Sequence, residues 1–325
     1  MSSTKLPRGF LIALAVTGVL GATVVTGALV RQRSVTTAAG QVPLAATVEY
    51  GKRLLRETPA LLGPDQENPE MRYTGSHLAC ASCHIDSGAK PGTLSLVETV
   101  GRYPRNSGRD GGMRDLRDRI NGCMQRSMNG RPLPRDSVEM IAMEAYITDL
   151  NERYSAMSKS RRAADEQAAF VEPQRAADPA AGQLVYTERC AVCHGDNGEG
   201  LLATGKPSDG YLFPPLWGPD TFNDGAGMHR VLTAARFIKA RMPFGGADLT
   251  DDQAFDVAAY VNSHPRPEMS GLERDYPDRT AKPVDSPYGP YADPFSQAQH
   301  QYGPYKEIRA WYAAEKAEKG TQPKQ

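Results

Sequence analysis

The sequence predicts a mainly α-helical protein with two similar domains, preceded by an apolar N-terminal helix. Three observations predict this fold. A C-x-x-C-H motif occurs twice, at residues 80–84 and 190–194. Amphipathic helices are expected on both sides of each motif. Residues 10–30 form an uncharged run that is 21 residues long. The chain length of 325 residues also suits two domains of roughly 100–150 residues each.

The N-terminal run is typical of an export segment that remains as a membrane anchor. Lys5 and Arg8 precede residues 10–30. About 20 apolar residues span a bilayer as a helix, whereas the apolar part of a cleaved signal peptide usually has roughly 7–15. Residues 36–39 offer only a weak cleavage site. We therefore expect a periplasmic protein tethered to the inner membrane by residues 10–30, with a cleaved signal peptide as the alternative.

The two C-x-x-C-H motifs predict two covalently bound haem c groups. In this motif two thiols add across the haem vinyl groups, and the histidine that follows binds the iron. A zinc ribbon would rarely place a histidine after the second cysteine in both copies, and a thioredoxin-like site would need a βαβ setting. The predicted attachment residues and proximal ligands are Cys80, Cys83, His84, Cys190, Cys193 and His194.

Predicted helices flank each motif in the arrangement of class I cytochromes c. Residues 180–186 form a short helix before the second motif, and residues 47–55 take the same place before the first. Amphipathic helices follow at residues 137–154 and after Thr250, which is placed to cap its helix. The sequence thus predicts two cytochrome c-like domains, each wrapping one haem.

The composition divides the chain further. We expect a signal or anchor with a spacer over residues 1–40, the first cytochrome domain over 41–154, and a charged linker over 155–177. The second cytochrome domain covers 178–265, and a proline- and tyrosine-rich extension covers 266–325. This extension is expected to lack regular structure and to wrap over the domains, since its aromatic residues argue against a disordered tail. Acidic and basic residues balance at 38 each, which offers no argument for nucleic acid as a partner.

The distal ligand of the second haem is expected to be Met242. A thioether is a soft ligand suited to haem iron. Pro243 follows Met242 and favours an extended loop just ahead of the last helix. Met228 and His229 are the alternatives.

The first haem has no Met-Pro loop ahead of the helix at 137–154, and its distal ligand stays open between Cys123, Met124 and Met128. Cys123 is the fifth cysteine of an exported chain and lies in the most basic stretch of the sequence. Residues 102–135 contain nine arginines, three aspartates and no lysine. Nearby cations favour a thiolate, and arginine offers planar recognition of oxyanions. These two features favour Cys123.

Around these residues the sequence resembles the thiosulfate dehydrogenase family of dihaem cytochromes c. The resemblance runs from about residue 48 to residue 305. It is most specific at 116–123, 126–130 and 227–230, and it includes tail segments at 271–278 and 282–291.

The resemblance implies that His84 and Cys123 ligate the first haem and that Cys123 is the catalytic sulfur. By the same resemblance, Arg109, Arg119 and Ser127 are expected to lie in the active site with Cys123. It also implies oxidation of two thiosulfates to tetrathionate. Electrons would leave through the second haem to a small cytochrome or another periplasmic acceptor.

One departure from the family concerns Arg241. Some members place lysine directly before the distal methionine and exchange the two ligands with redox state. Arg241 stands there in this chain, and a guanidinium has no lone pair to give. Ligand exchange at the second haem is therefore not expected.

Three other functions fit the same residues. The enzyme could act in reverse as a tetrathionate reductase, because sequence does not show the direction of the reaction. A plain electron-transfer cytochrome would use Met124 or Met128 as distal ligand and the basic stretch as a docking surface. A sulfur-oxidation cytochrome acting on a carrier protein would need a separate partner chain.

Overall fold

The computed structural model describes residues 34–37, 40–157 and 169–321. The apolar helix expected at residues 10–30 lies outside these ranges, as does the middle of the expected linker. Within the described ranges, no helix is long and apolar enough to cross a membrane. The first described element is an antiparallel hairpin of β1 (Ser34–Thr37) and β2 (Gly40–Pro43), in which Ser34 pairs with Pro43.

The first domain consists of helices around the first motif, as predicted. Its helices are α1 (Leu44–Arg56), α2 (Thr58–Leu62), α3 (Leu116–Arg126) and α4 (Val138–Ser155). A short antiparallel pair, β3 (Arg105–Asn106) with β4 (Met113–Arg114), precedes α3. The Ser137 side chain caps α4 by accepting the Met140 N–H. The predicted helices at 47–55 and 137–154 are therefore present, the first with wider bounds and the second shifted by one residue.

The second domain repeats this plan. Its helices are α5 (Pro179–Arg189), α6 (Ala191–His194), α7 (Val231–Arg241) and α8 (Asp251–Asn262). The strands β5 (Leu201–Leu202) and β6 (Tyr211–Phe213) pair antiparallel. Thr250 and Gln253 form a full capping box at the start of α8. The predicted cap at Thr250 is confirmed.

The same helix crossing builds the core of both domains. A Cβ added to Gly51 of α1 would lie 2.0 Å from the Ala142 carbonyl oxygen of α4. In the second domain a Cβ on Gly182 of α5 would lie 2.0 Å from the Asp256 carbonyl oxygen of α8. Real Cβ atoms never come so close to a carbonyl oxygen, so each crossing requires glycine. This matched pair shows that the sequence repeat is a structural repeat.

Replacing Gly51 by alanine is expected to destabilise the first domain. Helix propensity alone would favour alanine by about 1 kcal/mol. The clash with the Ala142 carbonyl must therefore outweigh that gain, and overpacking typically costs about 1–3 kcal/mol. Thermal unfolding of the haem-loaded protein checks this, with Gly101→Ala as the control because no atom lies within 4 Å of a Cβ there. An unfolding midpoint for Gly51→Ala equal to that of Gly101→Ala would contradict the crossing.

The C-terminal extension lies against both domains. The Asp275 carboxylate accepts hydrogen bonds from Arg109 and Arg126 of the first domain, at 2.6 and 2.8 Å. The Asp285 carboxylate accepts the Leu232 backbone N–H of the second domain at 3.1 Å. The expected lack of regular structure is wrong in part, because the extension contains α9 (Gln297–Tyr302) and α10 (Lys306–Thr321). These helices form in the stretches between the prolines.

The two domains also contact each other directly. Asp220 of the second domain accepts the His77 backbone N–H of the first domain at 2.8 Å, and it pairs with the His77 ring at 3.0 Å. The Asn223 N–H donates to the Arg126 carbonyl at the end of α3, at 3.1 Å. The end of α3 is therefore fixed against the second domain.

Candidate active site

The first motif is held in place by α2. The Thr58 hydroxyl donates to the Leu54 carbonyl and accepts the Cys80 backbone N–H, at 2.6 and 3.1 Å. The His84 Nδ1 lies 2.7 Å from the Leu94 carbonyl oxygen. Because a carbonyl only accepts, Nδ1 is the donor in this bond, which leaves Nε2 as the ring nitrogen that would bind a metal. His84 is therefore oriented as a proximal ligand requires.

Cys123 lies beside His84, and the two residues could both hold a haem iron. The His84 imidazole hydrogen-bonds the Cys123 sulfur, and Arg119 Nη1 donates to that sulfur at 2.9 Å. Burial raises the pKa of the Cys123 thiol. The positive charge of Arg119 and the bond from His84 outweigh that effect and lower the pKa to about 7. A substantial fraction of the Cys123 side chain is therefore thiolate near neutral pH.

Helix α3 presents this sulfur. Arg119 and Cys123 are four residues apart, so they lie on one face of the helix. Asp115 and Asp118 form a capping box that fixes the start of α3. Ser127 follows one turn after Cys123, and its backbone N–H donates to the Cys123 carbonyl. Three of the predicted active-site residues therefore lie along one helix and its end.

Arg109, the fourth predicted residue, is held by the C-terminal extension. Its Nη1 donates to the Asp275 carboxylate at 2.6 Å and to the Tyr288 hydroxyl at 3.1 Å. Its guanidinium lies 5.2 Å from the centroid of the Tyr276 ring. Arg109 is close enough to Arg119 for their charges to repel. The two arginines therefore belong to one electropositive region, although Arg109 does not contact the Cys123 sulfur directly.

The rival ligands of the first haem pack elsewhere. Met124 and Met128 are 1% and 3% exposed and belong to the apolar core of the first domain. The Cys123 sulfur, in contrast, contacts both His84 and Arg119. This arrangement favours Cys123 over the two methionines.

The second site has the same proximal geometry. His194 Nδ1 lies 2.8 Å from the Pro214 carbonyl oxygen, which again puts the lone pair on Nε2. Burial lowers the pKa of His194, so its imidazole is neutral and able to bind a metal. Met242 is the C-cap of α7, and its backbone is extended. The chain therefore leaves the helix at this residue, as predicted for the loop ahead of the last helix.

The alternatives to Met242 have other partners. Met228 packs against the apolar core of the second domain, and its carbonyl accepts the Asn262 side-chain N–H at 3.0 Å. His229 Nδ1 lies 2.8 Å from the Asp224 carbonyl. Burial and the charge of Arg266 lower the pKa of His229 to about 4. These contacts support Met242 as the distal residue.

The donor chemistry of the motif cysteines fits haem c. Burial raises the pKa of Cys80 to about 11 and that of Cys83 to about 12. Burial likewise raises the pKa of Cys190 to about 11. Two thiols beside a histidine at this spacing are the groups that attach and ligate haem c. Together with the proximal histidines, whose Nδ1 atoms both lie within hydrogen-bond distance of backbone carbonyls, the residues present fit two haems.

Two features of the site escaped prediction from the sequence. Helix α3 was not anticipated, although Asp115 and Asp118 at its start carry the spacing of a capping box. Asp275 and Tyr288, which hold Arg109, lie 166 and 179 residues away from it in sequence. Only the resemblance of the tail segments to the family pointed to that region.

Comparison with family models supports two cytochrome domains. Residues 72–153 match the model described as SoxA/TsdA, cytochrome c domain. Residues 177–261 match the model described as cytochrome C oxidase, cbb3-type, subunit III. The chain therefore contains two cytochrome c domains, and such domains bind haem c.

Curated relatives and a solved structure identify the family. The thiosulfate dehydrogenase of Allochromatium vinosum is 41% identical over 230 residues, which cover 69% of this chain and 80% of that protein. That of Stutzerimonas stutzeri is 42% identical over 206 residues, covering 63% and 65%. The as-isolated structure of thiosulfate dehydrogenase from Marichromatium purpuratum superposes with a TM-score of 0.60 at 34% identity, covering 71% of this chain and 48% of that one. With the Cys123 site and both cytochrome domains in place, this chain belongs to the thiosulfate dehydrogenase family of oxidoreductases.

Proposed function

We propose that this chain oxidises two thiosulfate ions to tetrathionate and passes the two electrons through two covalently bound haems c to an external acceptor. The observation that carries the proposal is the contact of Cys123 with both His84 and Arg119. An electron-transfer cytochrome needs no nucleophilic sulfur beside an arginine. A sulfur-oxidising enzyme that binds an oxyanion needs both.

The first step joins substrate to protein. The Cys123 thiolate and the terminal sulfur of thiosulfate form an S–S bond, giving a cysteine S-thiosulfonate, and two electrons are released. Bound haem c supplies iron that accepts electrons one at a time. Arg119 holds the Cys123 sulfur as thiolate, and its remaining N–H groups are suited to the sulfonate oxygens.

The second step releases the product. The terminal sulfur of a second thiosulfate attacks the adduct sulfur that is bonded to Cys123, the bond to Cys123 breaks, and tetrathionate and the Cys123 thiolate are released. This step involves no net oxidation or reduction, and the charges balance. A thiosulfate dianion must approach the anionic adduct, so the positive charges of Arg109 and Arg119 reduce their repulsion. Asp275 and Tyr288 hold Arg109 in that region.

The second domain is the proposed exit for electrons. Val192, inside the second motif, is 87% exposed, and Phe244, two residues after Met242, is 67% exposed. Exposed apolar side chains beside a haem site suit a transient contact with a small cytochrome. We further propose a periplasmic location with residues 10–30 as an inner-membrane tether, on the strength of the uncharged run in the sequence.

A ferricyanide assay on the haem-loaded protein tests the proposed function. We expect thiosulfate-dependent reduction of two ferricyanides for each tetrathionate formed, with tetrathionate measured separately. Initial rates with tetrathionate and an artificial reductant give the preferred direction. Absence of thiosulfate-dependent reduction in a protein that contains two haems would refute the enzyme assignment and favour a plain electron-transfer cytochrome.

A further inference from the structure

Arg241 reaches from the second cytochrome domain into the first. It is the last residue of α7, directly before Met242, and it is 7% exposed. Its Nη2 donates to the Pro91 carbonyl at 2.5 Å and lies 3.4 and 3.5 Å from the carbonyls of Lys90 and Thr93. A buried guanidinium is costly unless its donors are paired, and here Nη2 is directed at one loop of the other domain.

That loop is the one that orients His84. Leu94, the residue after Thr93, supplies the carbonyl that accepts from His84 Nδ1 at 2.7 Å. The loop is folded back on itself, since the Leu96 N–H donates to the Gly88 carbonyl at 2.9 Å and the Ser95 N–H to the Gly92 carbonyl at 3.1 Å. The carbonyls that Arg241 contacts therefore lie one to four residues before Leu94, whose carbonyl accepts from the proximal histidine.

We propose that Arg241 is a positioning residue that couples the two haem sites, by fixing the Met242 segment of the second site against the His84 loop of the first. This proposal rests on the proposed function, in which Met242 and His84 are haem ligands. Arg241 is followed directly by Met242, and its hydrogen bonds reach the loop whose Leu94 carbonyl accepts from His84. With haems bound at both sites, this link would hold the His84 loop and the Met242 segment in a fixed relation and would favour electron transfer between the two sites.

The alternative is that Arg241 only holds the domains together. Other contacts already do so, including those of Asp220 with His77 and of Asn223 with Arg126. Loss of Arg241 should therefore leave the two domains in contact but remove the hydrogen bonds between the Met242 segment and the His84 loop. A structural role alone would lower the unfolding midpoint without changing electron transfer between the haems.

The test uses the full haem-loaded chain, without thiosulfate. An electron is injected by flash photoreduction, and its redistribution between the haems is followed optically in wild type, Arg241→Met, Arg241→Gln and Arg236→Met. Arg236 lies exposed on the same helix and is the matched control. We expect Arg241→Met to slow transfer by about tenfold and to alter the EPR signal of the first haem. Arg241→Gln, which keeps N–H donors but cannot ligate the iron as an amine, should be intermediate, and Arg236→Met should match wild type.

Wild-type transfer rates and an unchanged first-haem EPR signal in Arg241→Met would overturn the proposal. If that variant fails to incorporate haem, Arg241→Gln decides, because a slowed rate supports the coupling and a wild-type rate overturns it. The assignment of function can fail separately. If the unmodified protein lacks a methionine-to-iron absorption band or thiosulfate activity, the proposed function is refuted. The electron-transfer rates of the variants still test the role of Arg241 in that case.

Discussion

Replacing Cys123 by methionine is expected to abolish thiosulfate oxidation while leaving both haems attached. Methionine keeps a sulfur at residue 123, but a thioether cannot form the S–S bond to substrate or leave as a thiolate. Loss of a covalent nucleophile typically costs several orders of magnitude, and we expect a fall in kcat of at least about a thousandfold. The ferricyanide assay measures this loss, with haem content determined on the same sample.

Met128→Leu is the matched control for that variant. Met128 lies near Cys123 in sequence and is buried in the core of the first domain. Leucine has a similar volume, so only a small loss of stability is expected. Full turnover by Cys123→Met would rule out the covalent route, and loss of turnover in Met128→Leu would instead indicate Met128 as a functional ligand.

Replacing Arg119 by glutamine is expected to have the second-largest effect. Arg119 Nη1 donates to the Cys123 sulfur at 2.9 Å, and its charge is the main influence that lowers the pKa of that thiol against burial. Glutamine removes the charge, so burial raises the pKa of Cys123 and less of it is thiolate at neutral pH. Removal of one such stabilising donor typically costs about 10²–10³-fold in rate, and we expect kcat/KM for thiosulfate to fall by that factor.

Two further variants separate the role of Arg119 from general charge. Arg119→Lys keeps the charge without the planar pair of donors, so an intermediate loss is expected. Arg102→Gln removes one positive charge from the same basic stretch. Among the ion pairs of the described residues, Arg102 pairs only with exposed Glu98. The activity of Arg102→Gln should therefore match that of wild type. Equal losses in Arg102→Gln and Arg119→Gln would mean that only the total charge matters.

The sequence predicted most of the scaffold, because the relevant signals are local. The spacing of Cys190, Cys193 and His194 is set by the chemistry of haem attachment. The cap at Thr250 lies within four residues of its partner. Predictions of this kind depend on contacts between neighbours in the chain, and the structure reproduces them.

The arrangement of the active site depends on long-range contacts, which no local pattern encodes. Arg109 is held by Asp275, 166 residues further along the chain. Arg241 contacts the Pro91 carbonyl, 150 residues earlier. Helix α3 was missed because arginines and aspartates separate its buried residues Leu116, Ile120 and Met124. Its stability comes from its capping box and from burial of these side chains rather than from a broad apolar face.

Ligation of the first haem by Cys123 is the central claim, and low-temperature EPR of the oxidised, haem-loaded protein tests it most directly. The account predicts two low-spin signals, one typical of histidine–thiolate ligation and one of histidine–methionine ligation. The thiolate signal should disappear in Cys123→Met, whereas the other should remain. Two histidine–methionine signals in the unmodified protein would contradict the account, since Cys123 would then be neither the ligand nor the sulfur on which the proposed chemistry depends.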